Sequence, residues 1–538
     1  MGGLLNAKQT TLVAAALIFG VAGVLPLCLM IGSSLRVNGG FSAGNYVEML
    51  GNARTWILFR NSLGLASLTT AVAGLAGVTL GILVAKTDLP LSSALSVAFS
   101  LPLLFPPYIL AVGWFEILGR GGIVARWLGP AAGKATSQWL FGLPGAVLVL
   151  SSAFLPIVLL LTITYLRSLS PGLEEAGRLS SGWPGVIRRI TIPLIMPGII
   201  LSLVLVFLLS MGEFGAPAFL RLSVFPVASF TQSAAFYNFG AATAAAMPVI
   251  AVVFVGLLTV KSVLHQKTHS FRWGGQRTLK RIPLGRTRPL VLMAVMASAV
   301  VLVGMPIGAV MWRGMSITAL SDAIQRAGGS AMRSILYAGV AATVLCALGF
   351  FLAYLIDRRA LVVWAWIDTL TLFLFALPGT VIAIGLIALW NHPATNWIYA
   401  TPAMLIIGLV AQYAALSVRI VVAGFSQVSP SLEEAAEVAG VGWFRRVFGI
   451  LVPLARPALV TAWAVTFVFC LRDAALPLLL APPGRDTLTA RTMTLMANGS
   501  PELVAALCVL SVLLALLPLG VLGVAWHASL FLGESTPV

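Results

Sequence analysis

The sequence predicts an all-α, polytopic membrane protein of about 12 transmembrane helices, arranged as two parallel six-helix repeats. Three observations carry this. The chain of 538 residues is 59% hydrophobic and only 9% charged, with a mean hydropathy of +1.01. Its long uncharged runs reach ~20 residues, the length a helix needs to cross a ~30 Å hydrocarbon core. A polar stretch, Ser170 to Pro197, recurs as Ser429 to Pro457. Short alternating segments of the kind that build a membrane β-barrel are missing from the sequence.

The first half, residues 1–264, contains six candidate helices at 11–32, 58–86, 92–118, 141–167, 193–219 and 244–264. The run from Thr11 to Gly32 follows Lys8 as a signal peptide would. It is long enough to span and lacks a cleavage site, so it reads as the first helix. The second half, residues 289–538, contains candidates at 288–312, 333–356, 362–390, 399–421, 453–480 and 502–527. Between the halves, residues 265–288 carry Lys267, Arg272, Arg277, Lys280, Arg281, Arg286 and Arg288 and no acid. Such a segment marks the cytoplasmic side. Six spans precede it, which places the N-terminus in the cytoplasm too. Both polar stretches and the turns Lys86–Leu89 and Asp357–Arg359 then fall on that side. Arg36, Arg54, Arg120, Arg126 and Lys134 lie on external loops, so the orientation rests on the linker.

The repeat extends into the spans. Phe105-Pro-Pro-Tyr-Ile-Leu-Ala-Val-Gly113 matches Leu377-Pro-Gly-Thr-Val-Ile-Ala-Ile-Gly385 at an offset of 272 residues, and Asn61 to Ala66 matches Arg333 to Ala338 at the same offset. Copies separated by six spans keep one orientation, so the symmetry axis runs along the membrane normal and a solute path belongs at the interface of the halves.

Each polar stretch reads as a short helix with a defined start. Ser170 and Ser429 occupy the N-cap, and Pro171 and Pro430 the first helical position, where no N–H is needed. Glu174, Glu175, Glu433 and Glu434 lie near the positive end of the helix dipole. Ala176, Gly177, Ala435 and Ala436 are small enough for a partner to approach. Gly182 and Gly442 are expected to end the helices. The prolines of Ile-x-x-Pro-Leu-x-x-Pro are expected to start the next membrane helix. The offset is 259 residues from Glu175 to Glu434 and 260 from Pro193 to Pro453, so the first copy lacks one residue between Ala176 and Gly182.

This pattern resembles the EAA signature of membrane subunits of type I ABC importers, E-A-A-x-x-x-G followed by I-x-L-P. The second copy fits at Glu434, Ala435, Ala436, Gly440, Ile450 and Pro453, with Val452 in place of Leu. The first departs: Gly177 replaces an Ala, Ser181 stands where Gly is expected, and the next interval is one residue short. The resemblance covers essentially the whole chain, each half being one permease core. A fused pair of this length, with Ser210 to Leu220 and Leu471 to Leu480, is most similar to ferric-iron permeases, and thiamine permeases come close behind. The resemblance implies the type I importer permease fold and a bacterial cytoplasmic (inner) membrane location. It implies two copies of an ABC ATPase docked on the loop helices, with ATP and magnesium bound there and no cofactor in this chain. It also implies an external solute-binding protein, periplasmic or lipid-anchored. Ferric iron is the first expected solute; related permeases carry thiamine, polyamines, phosphonates, sugar phosphates or inorganic anions.

The fifth spans align on Pro193 and Pro453, which superposes Glu213 on Asp473 and Pro217 on Pro477. From Pro197 to Glu213 is about 24 Å of helix, which puts both acids in the outer half of the membrane. An ionisable group there faces a polar cavity or a partner. Two carboxylates facing each other across the axis suit a hard cation or an organic cation and repel an anion. Alternatively, each acid satisfies backbone freed near Pro217 or Pro477, or Asp473 pairs with Arg472.

Other classes are excluded or set lower. The net charge of +17 follows from the positive-inside bias and anionic lipid; no folded basic domain remains for nucleic acid. Cys28, Cys346, Cys470 and Cys508 lie in apolar runs without CxxC spacing, and His265, His269, His392 and His527 are scattered, so no metal site is assigned. Gly129 to Thr136 imitates a P-loop with one residue too few and Ala135 where a hydroxyl is required. Without a nucleophile–base–acid constellation, an enzyme is a poor reading. A secondary transporter with two six-helix halves would carry charged signature loops after spans two and eight, and those turns are too short. A membrane scaffold is separated from the permease reading only by the two polar loops.

Overall fold

The computed structural model describes residues 7–37, 40–169, 171–267 and 281–533. Ser170 and most of the basic linker lie outside the described residues. Among these residues, ten helices are long and apolar enough to cross a membrane: Ala7–Ser34, Ala53–Lys86, Pro107–Leu128, Leu143–Ser168, Trp183–Gly212, Phe239–Ser262, Gly285–Gly314, Ile317–Asp357, Pro402–Phe425 and Trp443–Arg472. The pair Trp364–Ala376 and Gly379–Trp390, bent by 110°, makes an eleventh. The helix Pro501–Gly533 closes the second half. Counted with this last helix, whose described apolar part runs Pro501–Leu516, the helices fall into two sets of six. The one sheet among the described residues is a two-residue ribbon, Arg36–Val37 with Gly40–Phe41. Rows of exposed apolar side chains, such as Leu68, Val72 and Leu75 on the second span and Met293, Met296 and Val300 on the seventh, face outward where lipid replaces water.

The third and ninth spans are not the straight helices expected at 92–118 and 362–390. Ser92–Ser100 tightens into a 3₁₀ turn at Leu101–Leu104, breaks at Phe105 (ψ 149°) and restarts at Pro107. Trp364–Ala376 breaks at Leu377 (ψ 147°) and restarts at Gly379. In both copies the broken residue precedes a proline, whose ring pushes its neighbour out of the α region. The shared motif marks this break.

The prolines of the first, fifth, seventh and eleventh spans act differently. Each follows a wide, π-helical turn: Gly20–Val24 before Pro26, Ile187–Thr191 before Pro193, Val300–Gly304 before Pro306, and Val447–Leu451 before Pro453. The extra residue accommodates the missing N–H and the clash of the ring with the preceding turn. Pro193 and Pro453 thus lie inside continuous helices that begin at Trp183 and Trp443, rather than starting them.

Close packing repeats as well. A side chain at Gly77 would meet Val158 Cβ at 2.6 Å, and one at Gly349 would meet Ser417 Cβ at 2.7 Å. These are one contact seen twice, between the second and fourth spans of each half, where small residues let helix backbones approach. The halves interlock through their first spans. Leu12, Phe19, Leu27 and Met30 join the core of half two, whereas Val295 and Val303 of the seventh span join Leu80, Val84, Leu159 and Ile163 of half one. At each crossing a glycine beyond the helix break meets proline backbone: Gly113 against Pro306, and Gly385 against Pro26.

Candidate functional site

The two polar loops fold as short helices, Pro171–Arg178 and Pro430–Val438. Their burial follows the same order. Glu174 (3% exposed) and Glu433 (8%) point inward, Gly177 and Ala436 are half-buried, and Glu175, Ala176, Glu434 and Ala435 face out. The outer face is also apolar at matched positions: Leu173 with Leu432, and Leu179 with Val438, are all exposed.

Each inward glutamate is gripped by the end of the second span of its own half. Lys86 Nζ donates to Glu174 Oε2, and Thr191 Oγ1 donates to Glu174 Oε1 at 2.9 Å. In half two, Tyr354 OH donates to Glu433 Oε1 at 2.6 Å, and Arg358 Nε lies 3.5 Å from Glu433 Oε2. Lys86 and Arg358 are 272 residues apart, the offset of the repeat, so the charged clamp is duplicated. Trp443 Nε1 donates to the Tyr354 hydroxyl at 3.3 Å, and Lys8 lies over the Tyr354 ring at 5.3 Å. At the first loop, the described end of the linker docks instead: Ile282 N donates to Lys86 O at 2.6 Å, and Leu284 N to Asp88 Oδ1 at 2.9 Å. Both loop helices, the N-terminal end of the first span and the end of the linker thus share one side of the molecule. The sequence reading missed Lys86, Tyr354 and Arg358; a basic residue closing an apolar helix at the repeat offset was the available signal.

Two expectations need correction. Gly182 and Gly442 do not end the loop helices; they are the N-cap positions of the next helices, Trp183–Val186 and Trp443–Arg446. The second loop helix is closed by Gly440, in the left-handed region at φ +76°, with Val441 N donating to Ala436 O and Gly440 N to Glu437 O. That double bond is a Schellman cap. The residue missing from the first copy removes this cap, and Ser181 N there donates to Gly177 O. The N-cap serine also differs: Ser429 makes no side-chain capping bond, and its hydroxyl pairs with Ser431 at 2.7 Å.

Toward the other side, the four helix breaks converge. The fifth span ends at Gly212 and restarts as Gly215–Phe219; the eleventh ends at Arg472 and restarts as Ala475–Leu480. Glu213 and Asp473 therefore sit in the gaps rather than within continuous helices. Each acid accepts from the N-terminus of the restarted helix: Gly215 N to Glu213 Oε1 at 3.0 Å, and Leu476 N to Asp473 Oδ1 at 2.8 Å. Tyr413 OH adds a bond to Asp473 Oδ2 at 2.6 Å. Both acids also line one cavity of about 370 Å³ between the halves, together with Pro106, Pro378, Tyr413 and Arg472. The two sequence alternatives are thus compatible: the acids cap broken helices and face a cavity.

The cavity is not symmetric. Gln412 Nε2 donates to Phe375 O at 3.2 Å and Leu377 O at 2.9 Å, carbonyls freed by the ninth-span break. Arg472 donates to Leu103 O at the third-span break and stacks on Phe469 with 4.7 Å to the ring centroid. The repeat positions in half one are Ala153 for Gln412, Phe154 for Tyr413 and Gly212 for Arg472. Half two supplies most of the polar lining and half one supplies apolar wall. From the breaks the cavity extends to Leu160 and Leu161, about two turns from the loop-helix end of the fourth span.

Residues 77–266 and 348–530 each match the protein family described as binding-protein-dependent transport system inner membrane component. The chain is 25% identical over 458 residues to a ferric transport system permease protein of Actinobacillus pleuropneumoniae, covering 80% of this chain and 65% of that protein. It is 28% identical over 397 residues to a putative ferric transport system permease protein of Haemophilus influenzae, covering 68% and 61%. A second Haemophilus influenzae protein, an Fe(3+)-transport system permease, is 25% identical over 484 residues, covering 86% and 89%. The match therefore takes in somewhat less than two thirds of the first two relatives' length.

Proposed function

From the premise that the chain belongs to the family of binding-protein-dependent transport system inner membrane components, we propose that it is the fused two-half permease subunit of an ATP-driven importer. The observation that carries this reading is the duplicated loop helix, clamped from within by an acid–base pair and presenting an acidic and apolar face outward. A short helix held rigidly at the end of a span can transmit a partner's rotation, whereas a flexible loop cannot. In this reading each loop helix seats in one of two ABC ATPase subunits, which bind ATP and magnesium. An external binding protein delivers the solute to the opposite face. The chain itself moves the solute and catalyses no reaction. The halves are residues 1–264 and 289–538, joined by the basic linker on the cytoplasmic side of the inner membrane, where the N-terminus also lies.

The proposed solute is ferric iron. The names of the relatives support this, as do two carboxylates and a phenol around one cavity, oxygen donors of the kind a hard cation prefers. Arg472 offsets one of the two negative charges. The test is uptake by the chain assembled with its cognate ATPase and binding protein in proteoliposomes. Ferric iron should be accumulated and should compete out other solutes. Glu213→Gln with Asp473→Asn should abolish uptake while ATP hydrolysis still responds to the binding protein. Unchanged iron uptake in the double variant would remove the acids from the path, and accumulation of another solute alone would overturn the iron assignment.

A further inference from the structure

A second cavity, of about 500 Å³, lies on the side opposite the loop helices. It is lined by both halves: Phe115, Phe141, Phe219 and Phe230 from half one, Met493 and Met496 from half two. Its rim includes exposed Arg221, Thr494 and Ala497, so it opens to the surface. It is the outer counterpart of the cavity between the helix breaks. Among the described residues, one side chain lines both: Phe214.

Phe214 is well placed to be a barrier. It is 6% exposed, and its ring packs against Phe230 with centroids 4.7 Å apart. It occupies the gap between the fifth span and its restarted end, flanked by Gly212 on one side and Gly215 on the other. A side chain at Gly215 would meet Met493 Cε at 2.9 Å, so half two closes directly on this gap. The adjacent Glu213 holds the gap in shape through its bond from Gly215 N. The repeat position in half two is Ala474, which lines the inner cavity but contributes no ring. Half one thus places an aromatic side chain between the two cavities where half two has none.

We propose that Phe214 is the outer gate: its ring separates the vestibule that receives solute from the inner cavity that holds it. This rests on the permease reading for its meaning, but not on the identity of the solute. The gate is one-sided, carried by half one, and joined to a cavity acid by one peptide bond. Displacing Glu213 from Gly215 N would free the segment that carries the ring.

The experiment needs no solute. In a chain with Cys28, Cys346, Cys470 and Cys508 replaced by serine or alanine, a single cysteine is placed at Leu209, which lines the inner cavity and not the vestibule. A membrane-impermeant thiol reagent is added from outside, and a permeant reagent reports that the cysteine is reactive. The parent should resist the impermeant reagent. Phe214→Ala and Phe214→Val should raise its labelling rate severalfold, and Phe214→Tyr should restore protection. Phe115→Ala, which enlarges the vestibule alone, should leave the cysteine protected. Protection in both small variants, with the chain inserted and reactive to the permeant reagent, would overturn the assignment. So would equal exposure in Phe115→Ala, because the barrier would then lie elsewhere. Failure of the iron assignment would leave this result unchanged.

Discussion

Lys86 and Glu174 form an ion pair in which the side chains are 2% and 4% exposed. A pair this deep contributes little relative to an apolar replacement, but removing one member strands the other, at a cost of about 3–5 kcal/mol. Glu433 is held differently, by a phenol at 2.6 Å and a guanidinium at 3.5 Å. Glu174 also has the Thr191 hydroxyl, but its charged partner is fully buried, whereas Arg358 is 17% exposed and makes the longer contact, so losing Arg358 should matter less. Lys86→Met should therefore lower the thermal stability of the detergent-solubilised chain more than Arg358→Met, and Lys86→Met with Glu174→Leu should recover much of the loss. Equal, small shifts for the two single variants would show that the clamp does not anchor the first loop. This pairing was not legible from the sequence. Lys86 and Glu174 are 88 residues apart, and only the fold brings the turn after the second span under the loop helix. Their equivalence with Arg358 and Glu433 was implicit in the repeat offsets. Glu213 and Asp473 are legible as a pair, since aligning Pro193 with Pro453 superposes the two acids.

At the scale of elements, proline placement explains both what was readable and what was not. The residue before Pro106 and before Pro378 is extended in the structure, a preference that the sequence already contains. Uninterrupted hydropathy across both prolines nevertheless reads as one span, because composition does not register a bend. Pro193 and Pro453 present the opposite case: they look like helix starts, yet a π-helical turn carries the helix through them. The loop helices show how one residue alters an element. Gly440 closes the second with a left-handed cap; the first carries Ser181 at that position, is one residue shorter before Gly182, and has no left-handed residue there. An alanine at such a position costs about 1 kcal/mol, and a bulkier side chain more. Gly440→Leu together with Glu434→Lys should abolish transport and weaken recovery of the ATPase in pull-downs, while the chain still inserts. The matched changes in the first loop, Ser181→Leu with Glu175→Lys, should be tolerated better, because no left-handed cap is lost. Equal loss from both loops would contradict the role given to the cap.

For the whole molecule, the first span of each half packs into the core of the other, and the four helix breaks meet around one cavity. Each half therefore holds a span that belongs to its partner. On the proposed permease reading, this exchange of spans would carry a rotation imposed at the loop helices to the breaks, where Glu213, Asp473, Arg472 and Phe214 sit. The twofold arrangement of spans was legible from two offsets in the sequence; the exchange of first spans was not, because hydropathy carries no information on which bundle a helix joins. On the proposed reading, ATP drives transport through the loop helices. The most direct measurement is solute accumulation in proteoliposomes bearing the assembled complex, with ATP on the loop-helix side, binding protein on the other and no ion gradient. Solute should accumulate, and accumulation should stop when ATP or binding protein is omitted and when Glu174→Ala and Glu433→Ala are combined. Accumulation driven by an ion gradient through the chain alone, without ATP or partner, would contradict this reading.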